Sequence, residues 1–226
     1  MSEEFEPTEN QLRMRAFQKS AFDAGDGVGW FEPLYAAAAK GEAQIPWDDG
    51  ESDANLVDWL VREKVNGQGK RALEVGCGYG HGALDLAALG FHVTAVDLSP
   101  SAIAYATKHN THPNIEHRVC NMFAPPSEFL GAFDLVIEKY TLQSIPADLR
   151  PKLASQLPGL VAPGGELLLV CRARDEDVVP QGPPWALGES EVRGLASDGR
   201  LQIMRLERYQ DSEKPSKDRF RALFKA

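Results

Sequence analysis

The sequence predicts an α/β protein with a doubly wound, mostly parallel sheet of seven strands, helices on both faces and an antiparallel hairpin at one edge. Two observations lead to this prediction. From residue 70 onward, short apolar strand-like runs alternate with helical segments, and this alternation is typical of a parallel sheet covered on both faces. Two further strand-like runs, at 201–209 and 219–224, close the chain and suit an antiparallel pair.

Three segments precede the alternating region. Residues 1–28 are polar with a weak helical pattern, and we expect an ordered arm or a frayed lead-in. The alanine-rich run 30–40 favours a helix that stops at Gly41. A second helix follows, with Ser52 or Asp53 as its N-cap. Its apolar residues share one helical face: Leu56, Val57, Leu60 and Val61.

The alternating region contains five expected strands and four expected helices. The strands are 71–75, 91–97, 115–120, 133–138 and 166–172. The helices are 82–89, 99–110, 146–161 with interruptions at two prolines, and 190–196, and a tight turn is expected at 162–165. The segment 173–188 is long for a loop in such a fold, and long loops usually carry function.

Composition limits the class of protein. The 226 residues suit one sizeable domain. Lys and Arg number 24 against 33 Asp and Glu, giving a net charge of −9, which argues against a duplex nucleic-acid partner because such partners need a basic face. The apolar runs are too short to span a membrane, and no signal peptide is visible.

The cysteines and histidines show neither a disulfide framework nor a metal site. Cys77, Cys120 and Cys171 are odd in number and widely spaced, which favours a reducing compartment. The five histidines have no metal-ligand spacing. We therefore expect a cytoplasmic monomer or homodimer that binds a small molecule and uses no metal and no membrane.

A glycine-rich turn follows the first strand. The strand ends in LEVGCGYGHG, with glycines at 76, 78, 80 and 82. A strand, a glycine turn and a helix bring the free backbone N–H groups of the helix start close to a ligand. The second strand ends at Asp97, where doubly wound folds place a carboxylate that binds ribose hydroxyls. The two features together predict a nucleotide-like ligand.

The spacing G-x-G-x-G, preceded by Glu74, resembles the first motif of the class I S-adenosylmethionine-dependent methyltransferases, which have a Rossmann-like fold. A dehydrogenase would carry G-x-G-x-x-G instead. The resemblance covers roughly residues 50–226 and implies S-adenosyl-L-methionine as cofactor and S-adenosyl-L-homocysteine as product. It implies these cofactor-binding residues: Trp47, Glu74, Gly76, Cys77, Gly78, Gly80, Asp97, Leu98, Asn121, Met122 and Glu138.

One position departs from the family pattern. Asn121 stands where the family often has an acidic residue near the adenine amino group. An amide both donates and accepts hydrogen bonds, so adenine recognition remains feasible. Two interpretations of Met122 stay open, packing on the adenine face or ordinary core packing.

The loop after the fourth strand lies beside the transferring methyl group in this family. Here the resemblance implies Glu138 and Tyr140 as catalytic residues, either one serving as general base if the acceptor is an oxygen. Tyr140 would equally suit a half-buried packing position.

An upstream segment, PWDDGESDANL, resembles W-D-x-G-x-P-x-P-x-L of the thiopurine methyltransferase-like subgroup, which includes thiol and halide methyltransferases. Trp47, Asp48 and Gly50 match, whereas Ser52 and Ala54 replace the two prolines. In the subgroup this segment covers the cofactor site, with an aromatic ring near the sulfonium, and an aromatic face attracts a cation. A purely hydrophobic plug is the alternative for Trp47.

These resemblances divide the chain into an N-terminal arm and cofactor-site cover, 1–50, and a methyltransferase domain, 51–226. Either Arg172 or Arg174 would meet an anionic acceptor, or pair with acidic neighbours on the surface. The expected substrate-binding residues are Trp30, Tyr140, Arg172 and Trp185.

The expected function is methyl transfer from S-adenosyl-L-methionine to a small molecule through a sulfur, oxygen, nitrogen or halide nucleophile. Two alternatives stay open, a non-catalytic S-adenosylmethionine-binding protein and a methyltransferase acting on a macromolecule. The acidic balance and the lack of an N-P-P-Y type motif after the fourth strand weigh against the second.

Overall fold

One mixed sheet organises residues 8–226, the part of the chain that the computed structural model describes. Residues 1–7 of the expected arm lie outside the described residues. The strands are β1 (Arg71–Val75), β2 (His92–Asp97), β3 (Ile115–Val119), β4 (Phe133–Lys139), β5 (Val161–Arg172), β6 (Gln202–Gln210) and β7 (Asp218–Lys225).

The strand order is β3-β2-β1-β4-β5-β7-β6. Strands β1 to β5 are parallel, and β7 runs antiparallel to both β5 and β6. The predicted seven-stranded, mostly parallel sheet is therefore confirmed. The last strand inserts between β5 and β6, so the hairpin contributes β6, and not β7, to the edge.

Seven α-helices accompany the sheet in the described residues. They are α1 (Glu9–Asp23), α2 (Phe31–Ala39), α3 (Ala54–Arg62), α4 (His81–Ala88), α5 (Pro100–His109), α6 (Arg150–Ala154) and α7 (Glu189–Gly194). Two large apolar clusters pack against the sheet, one around Leu167 and Leu169 and the other around Leu168 and Val170. Successive β5 side chains thus alternate between the two faces. Among the helices of residues 8–226, none has the length and apolar character needed to cross a membrane.

Helix α1 is more regular than its weak sequence pattern indicates. Its start is a capping box, in which the Thr8 hydroxyl accepts from the Gln11 amide at 3.2 Å and the Gln11 side chain accepts from the Thr8 amide at 2.9 Å. Most of the helix is exposed, so it needs few apolar residues. This exposure explains why apolar periodicity alone predicts a less regular helix than the structure shows.

Helix α3 begins as expected but buries only part of the predicted face, Leu56 and Leu60. The Asp53 carboxylate caps it by accepting from the Leu56 amide at 2.9 Å. The side chain of Val61, placed on the apolar face by its spacing, is 71% exposed. The helix turns Asn55 and Trp59 inward beside Leu56 instead.

The expected interrupted helix at 146–161 forms only in part. The segment forms the short α6 and a 3₁₀ helix at Leu157–Leu160. Pro158 has no N–H for an α-helical hydrogen bond, and its ring crowds the preceding turn. Strand β5 then starts at Val161, so the tight turn expected at 162–165 lies inside its described range, with a register irregularity against β4.

Helix α2 is fastened to α5 by one carboxylate. Glu32 accepts from the Ser99 hydroxyl at 2.5 Å, the Ser101 amide at 3.0 Å and the Ser101 hydroxyl at 2.7 Å. A negative charge at the start of a helix is also favoured by the helix dipole. This link holds the N-terminal segment against the sheet domain.

Replacing Glu32 with Ala should lower the free energy of unfolding by about 1–3 kcal/mol, because hydrogen bonds to a charged group are lost. Burial acts to raise the pKa of Glu32, yet the bonds from Ser99 and Ser101 outweigh it and lower that pKa. The stabilisation is therefore present above the unfolded-state pKa and is lost as pH falls through the lower folded-state pKa. Urea unfolding at several pH values measures this, with the exposed Glu42→Ala as the control. Equal loss in both variants would contradict the prediction.

Candidate cofactor and acceptor site

A cavity of about 530 Å³ lies at the carboxyl ends of the parallel strands, between the sheet and the N-terminal helices. The strand order reverses between β1 and β4, because β2 lies on one side of this central pair and β5 on the other. Doubly wound folds bind ligands at such a reversal. Most of the sequence-predicted site residues line it: Trp30, Trp47, Glu74, Gly76, Cys77, Gly78, Asp97, Leu98, Asn121, Met122, Tyr140 and Arg172. Gly80, Glu138 and Trp185 are not part of the lining.

The glycine loop leaves no room for side chains at two positions. Gly76 and Gly78 have positive φ values of 66° and 54°, a region that favours glycine. A Cβ on Gly76 would lie 2.2 Å from the Thr141 hydroxyl, and one on Gly78 would lie 2.9 Å from the Tyr35 hydroxyl. The loop therefore exposes bare backbone to the cavity.

Asp97 lies at the end of β2 and holds the glycine loop. Its carboxylate accepts the Gly78 amide at 2.9 Å and the Ser99 amide at 2.8 Å, one on each oxygen. Burial raises the pKa of Asp97, and these amides offset only part of the rise. A carboxylate has about four acceptor positions, so both oxygens can still accept ribose hydroxyls.

Glu74 is a buried acid at the end of β1, only 3% exposed. A Cβ on Gly82 would lie 2.2 Å from its Oε1, while its Oε2 has no hydrogen-bond partner among residues 8–226. Burial raises the pKa of Glu74 to about 7, although Lys139 acts against that rise. An ammonium group in the cavity would supply the missing partner. The methionine part of S-adenosyl-L-methionine carries such a group, so the donor and acceptor set of this end fits the cofactor.

Two cavity-lining residues follow β3, the exposed Asn121 and the buried Met122. Asn121 accepts the Phe123 amide at 3.0 Å through its Oδ1, which leaves its NH₂ group free to donate. Met122 belongs to the core cluster and also lines the cavity. Its two interpretations are therefore compatible, because one face packs in the core while another borders the cavity.

Aromatic side chains cover the cavity. The Trp47 indole N–H donates to the Tyr35 hydroxyl at 3.0 Å, and its ring meets Trp30 edge-on at 5.8 Å between centroids. Tyr35 in turn meets Tyr79 of the glycine loop at 5.3 Å, and Tyr79 stacks on Tyr105 of α5 at 3.8 Å. The cover is therefore a continuous aromatic layer, with Trp47 44% exposed at its border.

Tyr140 is held in a strained conformation by several partners. Its φ is 65°, which is uncommon for a residue with a side chain. Its hydroxyl donates to Asp53 at 3.0 Å and accepts from the Asn55 amide at 2.8 Å, and the Arg219 guanidinium lies 4.7 Å above its ring. Burial, then the charge of Asp53, raises the pKa of Tyr140 well above its usual range. The phenol stays protonated at neutral pH and its hydroxyl already has two partners, which does not favour the role of general base; that role stays a prediction.

Glu138, the other predicted base, faces the protein interior. It is 0% exposed, and its Oε1 accepts the Leu142 amide at 2.7 Å. Burial raises its pKa to about 7, with the amides of Leu142 and Thr141 acting against that rise. Because Glu138 does not line the cavity, its visible role is to shape the loop after β4.

Two other residues that were expected in the site, Gly80 and Trp185, lie outside the cavity lining. Gly80 caps α4 with a φ of 82°, and a Cβ there would lie 2.9 Å from His117 Nε2. Trp185 packs against Phe22 of α1 at 6.3 Å between centroids. Its backbone amide donates to the Gln143 carbonyl at 2.6 Å. Trp185 therefore joins the 173–188 loop to α1 and does not border the acceptor space.

Sequence reasoning missed one contact between lining residues and several other lining residues. His81 Nε2 lies 3.1 Å from Asp48 Oδ1, and both line the cavity; Asp48 matched the subgroup motif, but nothing in the sequence paired it with His81. Tyr35 stood in an alanine-rich helix without a motif. Gln18 lay in the polar arm, and Arg219 lay in a strand. In the described part of the chain, no three metal-ligating side chains gather into a possible metal site.

Comparisons with known proteins identify relatives of this chain. The family model of thiopurine S-methyltransferase matches residues 40–224. A probable thiol methyltransferase of Arabidopsis thaliana is 31% identical over 173 residues, which cover 72% of this chain and 69% of that protein. A ubiquinone biosynthesis O-methyltransferase of Xanthomonas axonopodis is 32% identical over 111 residues, 48% of this chain and 46% of that protein.

Solved structures show the same fold. A Burkholderia thailandensis 1,6-didemethyltoxoflavin-N1-methyltransferase, crystallised with S-adenosylhomocysteine, superposes with a TM-score of 0.64 at 16% identity, covering 98% of this chain and 92% of that one. The N-methyltransferase NodS of Bradyrhizobium japonicum gives a TM-score of 0.64 at 18% identity over 86% and 98% of the two chains. The family match spans most of the sheet domain, including the glycine loop and Asp97. The chain therefore belongs to the thiopurine S-methyltransferase family and is an S-adenosylmethionine-dependent methyltransferase.

Proposed function

We propose that this protein methylates a small-molecule acceptor that enters the cavity beneath the N-terminal helices. The observation that carries the proposal is the continuity of the cavity, which runs from the glycine loop and Asp97 to α1 and α2. A volume of about 530 Å³ is within the range of small-molecule sites. In this proposal residues up to 50 act as the cover, and 51–226 form the catalytic domain.

The chain's own residues would hold the cofactor along one wall. Asp97 accepts the ribose hydroxyls, and Glu74 accepts the ammonium of the methionine part. Asn121 and Met122 border the adenine, and the aromatic cover lies on the side of the positive sulfur, which an aromatic face attracts. When bound, the cofactor supplies a methyl group on an already activated leaving group.

The surroundings of Tyr140 favour an acceptor that ionises without help from that residue or from Glu138. The Tyr140 hydroxyl is already engaged by Asp53 and Asn55, and Glu138 lies outside the cavity lining. A thiol loses its proton readily near neutral pH, so we propose a sulfur nucleophile. The protein then aligns the two reactants and excludes water. Similarity to a probable thiol methyltransferase supports this choice.

The three cysteines support a cytoplasmic location. Cys77, Cys120 and Cys171 are all free and buried. Free thiols persist in a reducing compartment. We therefore propose a cytoplasmic enzyme, acting as a monomer or homodimer.

A panel of thiols, phenols, amines and halides, assayed with methyl-labelled S-adenosyl-L-methionine, tests the function. We expect transfer to thiols, with rates that rise as the thiol becomes ionised. Phenols and amines of high pKa should react poorly because their protons remain. Faster transfer to unactivated alcohols or phenols than to thiols would contradict the proposal.

Tyr140→Phe separates positioning from base catalysis in the same assay. General-base catalysis contributes about 10²–10⁴-fold, whereas the loss of a hydroxyl that only orders the loop should cost about tenfold or less in turnover. The pH profile for a thiol should keep its shape in the variant. A hundredfold loss confined to neutral pH would assign the proton transfer to Tyr140 after all.

Asp97→Ala should weaken binding of S-adenosyl-L-homocysteine at least tenfold in calorimetry. Hydrogen bonds to a charged group are worth about 1.5–3 kcal/mol, and the glycine loop also loses its anchor. Asp134→Ala is the matched control, because Asp134 likewise accepts a backbone amide, from Arg71 at 2.8 Å, but does not line the cavity. Equal affinities in the two variants would place the ribose elsewhere.

The contribution of Glu74 and Glu138 to the stability of the cofactor-free protein should fall as pH rises from about 4.5 to about 7. Burial raises the pKa of Glu74 and of Glu138 to about 7 in each case, so the folded state retains protons that the unfolded state releases. Glu74→Gln and Glu138→Gln should each flatten the slope of unfolding free energy against pH.

Saturating S-adenosyl-L-homocysteine separates the two acids. Its ammonium should pair with Glu74, so the ligand should flatten the remaining slope in Glu138→Gln but leave the slope of Glu74→Gln unchanged. Identical ligand effects in both variants would show that Glu74 does not meet the cofactor.

A further inference from the structure

Three hydrogen-bond donors in the cavity lining have no partner. Within residues 8–226, Gln18 Nε2, Trp30 Nε1 and Arg172 Nε are buried atoms without a hydrogen bond, and all three residues line the cavity. The unpartnered acceptor of that lining, Glu74 Oε2, belongs to the cofactor wall described above. The three donors therefore remain for the second substrate.

Trp30 is the most confined of the three. The residue is 1% exposed, and its ring stacks on Phe31 at 4.1 Å and meets Trp47 at 5.8 Å. An indole nitrogen only donates, and a buried donor left unpaired costs about 1–3 kcal/mol. A buried polar atom without a partner in a well-packed cluster requires a specific explanation. A ligand atom that accepts a hydrogen bond provides one.

Arg172 is the charged member of the set. It is the last residue of β5. Its backbone amide donates to Gln143 Oε1 at 2.6 Å, and this bond fixes the backbone from which the side chain extends. Its guanidinium forms no hydrogen bond or ion pair in the part of the chain that the structure describes. By contrast, Arg174 donates to Glu191 at 2.6 Å, and Arg219 donates to Asp211 at 2.7 Å.

The electrostatic setting of Arg172 is also unfavourable without a ligand. Burial, then the nearby positive charge of Arg219, lowers the pKa of Arg172. Asp211 and Glu213 act in the opposite direction, but both already pair with Arg219. An incoming anion would relieve this imbalance.

Part of the cavity lining is apolar. Six of the uncharged lining residues are Met14, Val28, Phe31, Phe123, Pro183 and Pro184. Such walls bind a hydrophobic body, while a few polar groups fix its orientation.

We propose that the methyl acceptor is an amphipathic anion, with an apolar body and a carboxylate or comparably acidic oxygen group that pairs with Arg172. Trp30 and Gln18 donate to further oxygen atoms of the same molecule. This inference rests on the proposed function, because it describes the acceptor of that reaction. The guanidinium of Arg172 can form two parallel hydrogen bonds to a planar anion, so it selects the acid over its neutral derivatives.

Calorimetry on protein saturated with S-adenosyl-L-homocysteine tests the proposal without turnover. The probes are two acid and neutral pairs, indole-3-carboxylate with indole-3-carboxamide, and 3-mercaptopropionate with its methyl ester. We expect each acid to bind at least tenfold more tightly than its neutral partner, since a charged hydrogen bond is at least that strong.

Variants assign the preference to residues. Arg172→Met should abolish the preference for the acid, and Trp30→Phe should weaken acid binding severalfold while keeping an aromatic ring. Arg174→Met is the matched control and should retain the preference, because that arginine already has protein partners. Thermal unfolding checks that each variant folds. If Arg172→Met does not fold, Arg172→Lys keeps the charge and should lose part of the preference with the bidentate geometry.

The outcomes separate this inference from the proposed function. Binding of S-adenosyl-L-homocysteine together with equal or absent binding of the acids in the wild-type protein overturns the inference alone. A preference that survives in Arg172→Met, or in Arg172→Lys at full strength, overturns it as well. Failure to bind S-adenosyl-L-homocysteine, or to transfer a methyl group to any compound of the panel, overturns the proposed function instead.

Discussion

The Asp97 carboxylate is the contact on which the site depends. One of its oxygens holds the Gly78 amide and the other holds the Ser99 amide, so one side chain ties the glycine loop to the start of α5. The Ser99 hydroxyl then donates to Glu32 of α2. Sheet, glycine loop and cover are thereby joined by one series of hydrogen bonds. Asp97 also lines the cavity and keeps free acceptor positions, so the residue that we propose to bind the ribose also holds the loop in place.

The cavity walls differ in the chemistry that they present. The cofactor wall carries Glu74 and Asp97 and suits a ligand with a net positive charge. The same lining also presents Trp30 and Arg172, whose side chains only donate hydrogen bonds. A cationic methyl donor and an anionic acceptor would each meet complementary groups. Methyl transfer from the sulfonium to a thiolate would leave both sulfur atoms neutral, while the acid group paired with Arg172 would keep its charge. The aromatic cover excludes water from the space between them.

The sequence alone determined the sheet, the glycine loop and the acid that follows β2. Strand and helix alternation depends on local apolar spacing, and a glycine turn depends on backbone conformations that only a few residues adopt, so both are visible over a short window. For the same reason the sequence limited the N-cap of α3 to Ser52 or Asp53, and the structure shows that Asp53 is the cap. The family resemblance depends on this local pattern, and it predicts the cofactor from the sequence alone.

Only the tertiary structure decided which polar side chains reach the cavity. Glu138 lies in β4 and Tyr140 follows that strand, only two positions apart, yet the first is enclosed and the second is fixed by Asp53 and Asn55. Arg172 and Arg174 look alike in sequence, but Glu191 engages only the second. A titratable group's role depends on burial and on partners far along the chain. The local sequence pattern does not determine those long-range distances, which are set only when the helices pack on the sheet.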